Sequence, residues 1–306
     1  MRALATSVVV VVLGWLAGAA RAQGAPPLSR YFSVAELRRA HPEDVAGRGY
    51  HGPLHSKNTR RMEYDLARSR GLSHEAASFL GEVALLHDWD PHRAAETPPR
   101  VSATLQVLAA DFAGKRPLIP GYRGTSVLRE RFGWTKRDLA VAQALIQRTA
   151  FPFDPVAVRR YEARLRRLSR ADQRFVLQEG AYLSEYADKA STYAMRRPTG
   201  VRRASRGLVR EKNNAAGKRV ATVDGLESAT FLGAIGTRGA YAQDRAIARR
   251  LGVRVSFSPR SRVFGRMPAR YGARFHDSLA RAQRDQSRAT ARARTRARAQ
   301  SSRRKR

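Results

Sequence analysis

Residues 73–88 have the sequence SHEAASFLGEVALLHD. Apolar positions recur in this segment at intervals of three and four residues, which predicts a helix with one buried face. That face is formed by Ala76, Phe79, Leu80, Val83, Ala84 and His87. A buried imidazole needs a polar partner, because burying an unpaired polar group costs free energy. The segment therefore predicts a core helix that ends in a polar pair, His87-Asp88.

The helical period continues on both sides of this segment, over residues 30–195. Capping-box spacing, which marks helix starts, occurs at Ser33/Glu36, Thr135/Asp138 and Ser169/Asp172. Segment 169–195 has a stripe of mostly small residues, which lets a neighbouring helix approach closely. Strand signals are nearly absent, so we predict an all-α bundle.

Length and composition restrict the kinds of protein this can be. The chain has 306 residues, enough for one large domain or one domain with an extension. Its 59 Lys and Arg oppose 25 Asp and Glu, and the net charge of +34 attracts anionic partners. Cysteine is absent, which excludes thiolate catalysis, cysteine-ligated metal sites and disulfides. His, Asp and Glu remain as metal ligands.

The ends of the chain differ from the helical body. A basic residue, an apolar run and a small-x-small pattern at residues 20–22 indicate a cleavable secretory signal, and hence an exported protein. The alternative is an uncleaved membrane anchor. No other segment is long and apolar enough to span a bilayer. The predicted parts are a signal peptide 1–22, a helical domain 30–195, a basic loop or linker 196–225, a helical extension 226–275 and a disordered Arg-rich tail 276–306.

Polar residues interrupt the helical body at three places. Gly52-Pro53 suits the start of a helix, so His55 falls in its first turn and His51 lies just outside. His87-Asp88 closes the helix over 73–88, and Asp188 interrupts the small-residue stripe. One divalent cation would satisfy all three places, because two imidazoles and two carboxylates form a ligand set suited to first-row metals.

The order His55 … His87-Asp88 … Asp188 resembles the H…HD…D signature of the HD-domain metal-dependent phosphohydrolases, an all-helical superfamily. The resemblance covers residues 30–195. Tyr50-His51, just before His55, looks like the opening of the cyclic-nucleotide phosphodiesterase branch, although Gly52 stands where that branch has Asn.

The resemblance implies a site and a reaction. His55, His87, Asp88 and Asp188 would bind a divalent ion (Mn, Fe, Co, Ni, Zn or Mg), and His51 would donate a proton to the leaving oxygen, so that His51 and Asp88 are the expected catalytic residues. The substrate would be a small phosphorylated molecule, either a phosphomonoester or a phosphodiester, such as a nucleotide. Further candidates for substrate binding are Lys57, Arg60, Arg148 and Thr149.

Two alternatives stay open at this point. Taken alone, His87 is better explained as a core histidine bonded to a carbonyl, and Asp188 as a buried partner of an arginine. The basic segments also fit a non-catalytic exported protein that binds nucleic acid or another polyanion on a helical scaffold. The basic tail contains no base-reading motif, so such binding would be non-specific.

Overall fold

A computed structural model of the chain describes residues 25–39, 41, 49–94, 97–150, 153–188, 191–192, 198–222 and 238–256, with single positions at 291 and 295. Within these residues the chain forms ten α-helices and no strand, so the all-α prediction is confirmed there. A 3-10 turn over Leu28–Arg30 precedes the helices, and a π-helical turn over Leu183–Ala187 follows the eighth. The helices are α1 Val34–Arg39, α2 Pro53–Ser69, α3 His74–Leu86, α4 Val101–Phe112, α5 Val127–Glu130, α6 Lys136–Arg148, α7 Pro155–Leu165, α8 Arg170–Tyr182, α9 Pro198–Ala216 and α10 Arg238–Leu251.

The helices begin where the sequence predicts. The Thr135 hydroxyl accepts a hydrogen bond from the Asp138 amide, and the Asp138 carboxylate accepts one from the Thr135 amide, which completes a capping box. Ser33 and Glu36 form a second such box, and the Ser169 hydroxyl accepts a hydrogen bond from the Asp172 amide. These bonds satisfy amides that have no partner inside the helix. Gly52 is the N-cap of α2 and Pro53 its first residue, as predicted.

Small residues set the closest helix contacts. A Cβ atom at Gly81 on α3 would lie 3.3 Å from the carbonyl oxygen of Arg60 on α2. A Cβ atom at Gly180 on α8 would lie 3.2 Å from Cγ of Arg148 on α6. Larger side chains would separate these helix pairs, so the small-residue stripe on α8 serves close helix packing as predicted.

The structure corrects the prediction of a basic loop or linker over 196–225. Residues Pro198–Ala216 form α9, which is amphipathic. Val201, Ala204 and Leu208 are buried in the core, at the spacing of one helix face. Turn-forming and charged residues in this segment suggested a loop, but most of the charge lies on the outer face of the helix, and Gly217 ends it in a left-handed conformation.

Helix α10 completes the bundle. It packs against α8, and Ile247 and Leu251 are buried. Arg148 on α6 forms a buried bidentate ion pair with Asp244 on α10, at 2.9–3.2 Å. The sequence predicted a helical extension over 226–275; the structure describes residues 238–256 of it, and Arg238–Leu251 form a helix that packs into the bundle.

Several predictions concern residues outside the described part of the chain. The signal peptide at 1–22 lies there, as does the tail 276–306 apart from single positions at 291 and 295, so secretion and tail disorder stay predictions. Across the residues that the structure describes, no helix combines the length and apolar character that crossing a membrane requires.

Candidate metal centre

Three parts of the bundle bring the predicted ligands together. His55 lies in the first turn of α2, where Gly52-Pro53 starts the helix. His87 is the C-cap residue of α3, and Asp88 follows it. Asp188 directly follows the π-helical turn Leu183–Ala187, which adds a residue to the turn and changes the direction of the side chains beyond it. Turns of this kind occur often at functional sites.

The four side chains converge on one small space. Nε2 of His55 lies 3.3 Å from Oδ2 of Asp88 and 3.1 Å from Oδ1 of Asp188. Nε2 of His87 lies 2.9 Å and 3.7 Å from the same two oxygens. These separations suit donors that share one ion at metal–ligand distances of about 2.0–2.2 Å. One donor atom from each of His55, His87 and Asp188 lies within 4.8 Å of the others, which independently marks a metal-compatible group.

The imidazoles are prepared as ligands. Nδ1 of His87 lies 2.8 Å from the carbonyl oxygen of Ala84, so this nitrogen donates its proton, and in the neutral ring Nε2 keeps its lone pair. Such an outer hydrogen bond commonly fixes the tautomer of a metal-binding histidine. Among the described residues, the buried Nε2 atoms of His55 and His87 have no hydrogen-bond partner of acceptable geometry, despite the nearby carboxylates. A cation between the four groups would satisfy both nitrogens.

The hydrogen bond to Ala84 bears on the alternative interpretation of His87. A core histidine bonded to a carbonyl was the competing expectation, and the Nδ1 atom does make that bond. The other ring nitrogen faces two carboxylates, which packing alone does not explain. His87 is therefore both bonded to a carbonyl and part of the buried His-His-Asp cluster.

The protonation states of His87 and Asp88 depend on each other and on the neighbouring charged groups. Burial opposes a charged His87, but the Asp88 and Asp188 carboxylates outweigh it and raise the pKa of His87 well above its ordinary value. Burial opposes a charged Asp88 as well, yet His87 and His51 hold the pKa of Asp88 well below its usual range. The carboxylates thus favour positive charge at this position, whether a proton or a metal ion carries it.

His51 lies beside the cluster and outside the ligand set. Its Nε2 atom is 3.9 Å from Oδ2 of Asp88, and its ring is 15% exposed. Its Nδ1 atom lies 2.5 Å from Oε2 of Glu211 on α9. Burial disfavours the imidazolium, but Glu211 and Asp88 raise the pKa of His51 above its ordinary value. The His51 ring is thus held with one nitrogen against Glu211 and the other facing the cluster.

Glu211 is the important site residue that sequence reasoning missed. The Glu211 side chain is fully buried, and its Oε1 atom accepts hydrogen bonds from the backbone amides of Tyr50 at 2.7 Å and His51 at 3.1 Å. Burial alone would raise the pKa of Glu211, but His51 lowers it, so the carboxylate stays charged. The signal was present in the sequence, since Glu211 continues the buried helical face of Val201, Ala204 and Leu208.

The predicted substrate-binding residues do not gather at the cluster. Lys57 is exposed on α2. Arg60 is buried, donates from Nη2 to the carbonyl oxygen of Pro26 at 2.5 Å and lies over the ring of Tyr31. The Thr149 hydroxyl donates to the carbonyl oxygen of Ile146, as a helix-end cap does.

Arg148 also has a structural partner. Its guanidinium pairs with Asp244 and stacks over Phe153. The contacts of Arg60, Arg148 and Thr149 support structural roles in packing and capping, and their expected role as substrate ligands stays a prediction.

The comparisons with known proteins give no independent identification. No protein-family model matches the chain, and no curated protein or solved structure matches it either. Function must therefore be argued from the residues of the site.

Proposed function

We propose that this chain is a metal-dependent phosphohydrolase of the HD type, which cleaves a phosphomonoester or phosphodiester. The observation that carries the proposal is the convergence of His55, His87, Asp88 and Asp188 around one space, where the two buried Nε2 atoms face carboxylates but make no hydrogen bond of acceptable geometry among the described residues. Their order along the chain is the order that suggested this superfamily.

The donor set suits a divalent first-row metal, because it combines neutral imidazole nitrogens with carboxylate oxygens. A divalent ion bound there would lower the pKa of a water molecule and neutralise negative charge on phosphoryl oxygens. The role of the protein is to hold the ligands. Packing fixes His55 at the start of α2, and the bond to Ala84 orients His87.

His51 is the proton donor in this proposal. Cleavage of a phosphoester leaves an alkoxide oxygen, and a protonated imidazole beside it stabilises the departing group. Glu211 keeps His51 protonated and holds its ring with Nε2 directed toward Asp88. The two hydrogen bonds that Glu211 accepts from the backbone amides of Tyr50 and His51 fix the segment that carries the ring.

Hydrolysis assays test the proposal. The purified chain, supplied with each candidate metal in turn, should hydrolyse p-nitrophenyl phosphate or bis(p-nitrophenyl) phosphate. Asp88→Asn should abolish turnover, and His51→Ala should lower kcat by about 10²–10⁴ because a general acid is lost. His92→Ala is the matched control, since His92 is exposed on the turn after the cluster. Equal activity in the wild type and Asp88→Asn, or an inert wild type with every metal, would contradict the proposal.

A second candidate function is polyanion binding, with or without catalysis. The observation that favours it is the outer face of α9, where Arg202, Arg203 and Arg206 are all exposed. Residues 245–306 add 20 basic residues against two acidic ones. Binding to duplex DNA should weaken steeply as salt rises, because association releases counterions.

Deletion of residues 281–306 separates the two functions. The truncated chain should keep its turnover of small substrates, while its affinity for DNA falls. If the truncated chain binds DNA as well as the full chain does and with the same salt dependence, the tail has no part in polyanion binding.

A further inference from the structure

A second cleft lies between α4, α6 and α7. It has a volume of about 750 Å³, within the usual range for small-molecule sites. None of His51, His55, His87, Asp88 and Asp188 lines it. The cleft is therefore lined by a different set of side chains from the metal centre, and the proposed hydrolase activity does not use it.

Gln147 is the most informative residue of this cleft. It lies in the last turn of α6, is only 5% exposed and lines the cavity. Among the described residues, its side-chain amide makes no hydrogen bond, although the neighbouring Gln143 accepts one from Arg164 at 3.2 Å. An amide that lines a cavity and makes no hydrogen bond within the described protein can pair with a ligand that offers both an acceptor and a donor.

The cleft is also positively charged. Arg100, Arg160 and Arg164 line it, and Asp154 is the single acidic residue among the lining side chains that the structure describes. Asp154 is already engaged, because its Oδ1 atom accepts the Ala157 amide at the start of α7.

The three arginines differ in whether a carboxylate lies near them. Arg100 is mostly exposed and lies 3.7 Å from Asp90. Burial and the nearby charge of Arg167 lower the pKa of Arg164, which indicates that no neighbouring anion balances the charge of its guanidinium. In the part of the chain that the structure describes, no carboxylate pairs with Arg160 or Arg164. Guanidinium groups in such surroundings favour phosphate, which they can bind in a bidentate manner.

Apolar side chains complete the cavity. Leu105 on α4 and Ala157 on α7 are buried and line it together with Val101 and Val156. A planar, weakly polar group can lie against such a wall while its edge reaches an amide. The cleft thus offers three kinds of contact: positive charge, a donor–acceptor pair and an apolar surface.

We propose that this cleft is a second binding site, separate from the metal centre, for a nucleoside monophosphate or a closely similar nucleotide. The phosphate binds Arg160 and Arg164, and the base lies against Leu105 with a donor–acceptor edge on Gln147. This assignment does not depend on the proposed hydrolase activity, since it uses none of the metal ligands.

Isothermal titration calorimetry on the full chain in excess EDTA tests the site. The probes are guanosine 5′-monophosphate, adenosine 5′-monophosphate, guanosine and inorganic phosphate. A nucleotide should bind more tightly than phosphate or the nucleoside alone. Gln147→Leu and Arg164→Gln should each weaken nucleotide binding by about tenfold, as loss of one good buried or charged hydrogen bond does.

The controls separate this site from other cationic surfaces. Arg159→Ala removes the same charge from an exposed position of α7 outside the cleft and should leave nucleotide binding unchanged. Asp188→Asn, at the metal centre, should also leave it unchanged. Gln147→Leu nearly conserves side-chain volume, so a thermal unfolding curve close to that of the wild type shows that it folds.

Three results would overturn the proposal. Nucleotide and phosphate could bind equally tightly with no effect of Gln147→Leu, which would show a simple anion site. Binding could disappear in Asp188→Asn, which would locate it at the metal centre. Finally, none of the probes could bind in EDTA.

Discussion

Glu211→Gln is the most informative single change at the candidate site. In the structure, Oε1 of Glu211 accepts the amides of Tyr50 and His51, and Oε2 lies 2.5 Å from Nδ1 of His51. Glutamine has one carbonyl oxygen in place of the two carboxylate oxygens. If that oxygen keeps the two backbone amides, the side-chain NH₂ group faces Nδ1 of His51, where a second donor cannot pair with imidazolium.

The size of the effect follows from the lost charge-assisted bond. A hydrogen bond to a charged group contributes about 1.5–3 kcal/mol. This corresponds to a factor of about 10–100 in the equilibrium between protonated and neutral His51. Because Glu211 raises the pKa of His51, its replacement lowers that pKa. At pH values above the lowered pKa, His51 is mostly neutral, and kcat/KM for a phosphodiester should fall by about 10–100-fold.

The assay is a profile of kcat/KM against pH for the wild type and Glu211→Gln, together with metal content and Tm. In the wild type, activity falls as pH rises past the raised pKa of His51. In Glu211→Gln the same fall should occur at lower pH, with metal content unchanged. Glu162→Gln, the same chemical change on α7, should leave the profile unaltered. An unchanged profile in Glu211→Gln, or a loss of activity explained by lower Tm alone, would refute this role.

Three further predictions concern stability, each measured by thermal or chemical unfolding. Arg148→Ala leaves the Asp244 carboxylate buried without its partner and should lower the free energy of unfolding by about 3–5 kcal/mol. The double variant Arg148→Met with Asp244→Leu should lose much less, because no unpaired charge stays buried. Equal losses in the two variants would contradict this argument. Burial raises the pKa of Glu63 from 4.5 to about 7, so its charge destabilises the folded state as pH rises through that range. Glu63→Gln should therefore stabilise the protein by about 1–3 kcal/mol above pH 7 and have little effect near pH 4; a pH-independent effect would refute this. Gly81→Ala places Cβ 3.3 Å from the Arg60 carbonyl oxygen. Overpacking should cost about 1–3 kcal/mol and exceed the gain of about 1 kcal/mol in helix propensity, so the variant should be less stable. A rise in Tm would count against the close α2–α3 contact.

Local signals made most of the fold predictable. Caps such as Thr135 and the Gly52-Pro53 start depend on neighbouring residues, so the sequence carries the full information. The small-residue stripe at Gly180 likewise indicates a close contact with another helix, but it does not show which helix that is. Helix α9 was missed because turn formers and charge were weighted above a three- and four-residue apolar spacing that was also present.

Local signals also made part of the site predictable. His55 and His87 are placed by the ends of their own helices. Pairings across the bundle are different, because they depend on how distant helices pack. Glu211 meets His51 across 160 positions of the chain, and Asp244 meets Arg148 across 96. No local pattern records such a pairing, so Arg148 was taken for a substrate ligand and Glu211 was overlooked.

The metal content of the purified chain tests the central claim most directly. Elemental analysis should find at least one divalent ion per chain, drawn from Mn, Fe, Co, Ni, Zn or Mg, after supply of each metal and removal of excess. His87→Ala and Asp188→Asn should lose that ion, while His92→Ala keeps it. A wild-type chain that takes up none of these metals, or one that retains its ion when both His87 and Asp188 are replaced, would contradict the account.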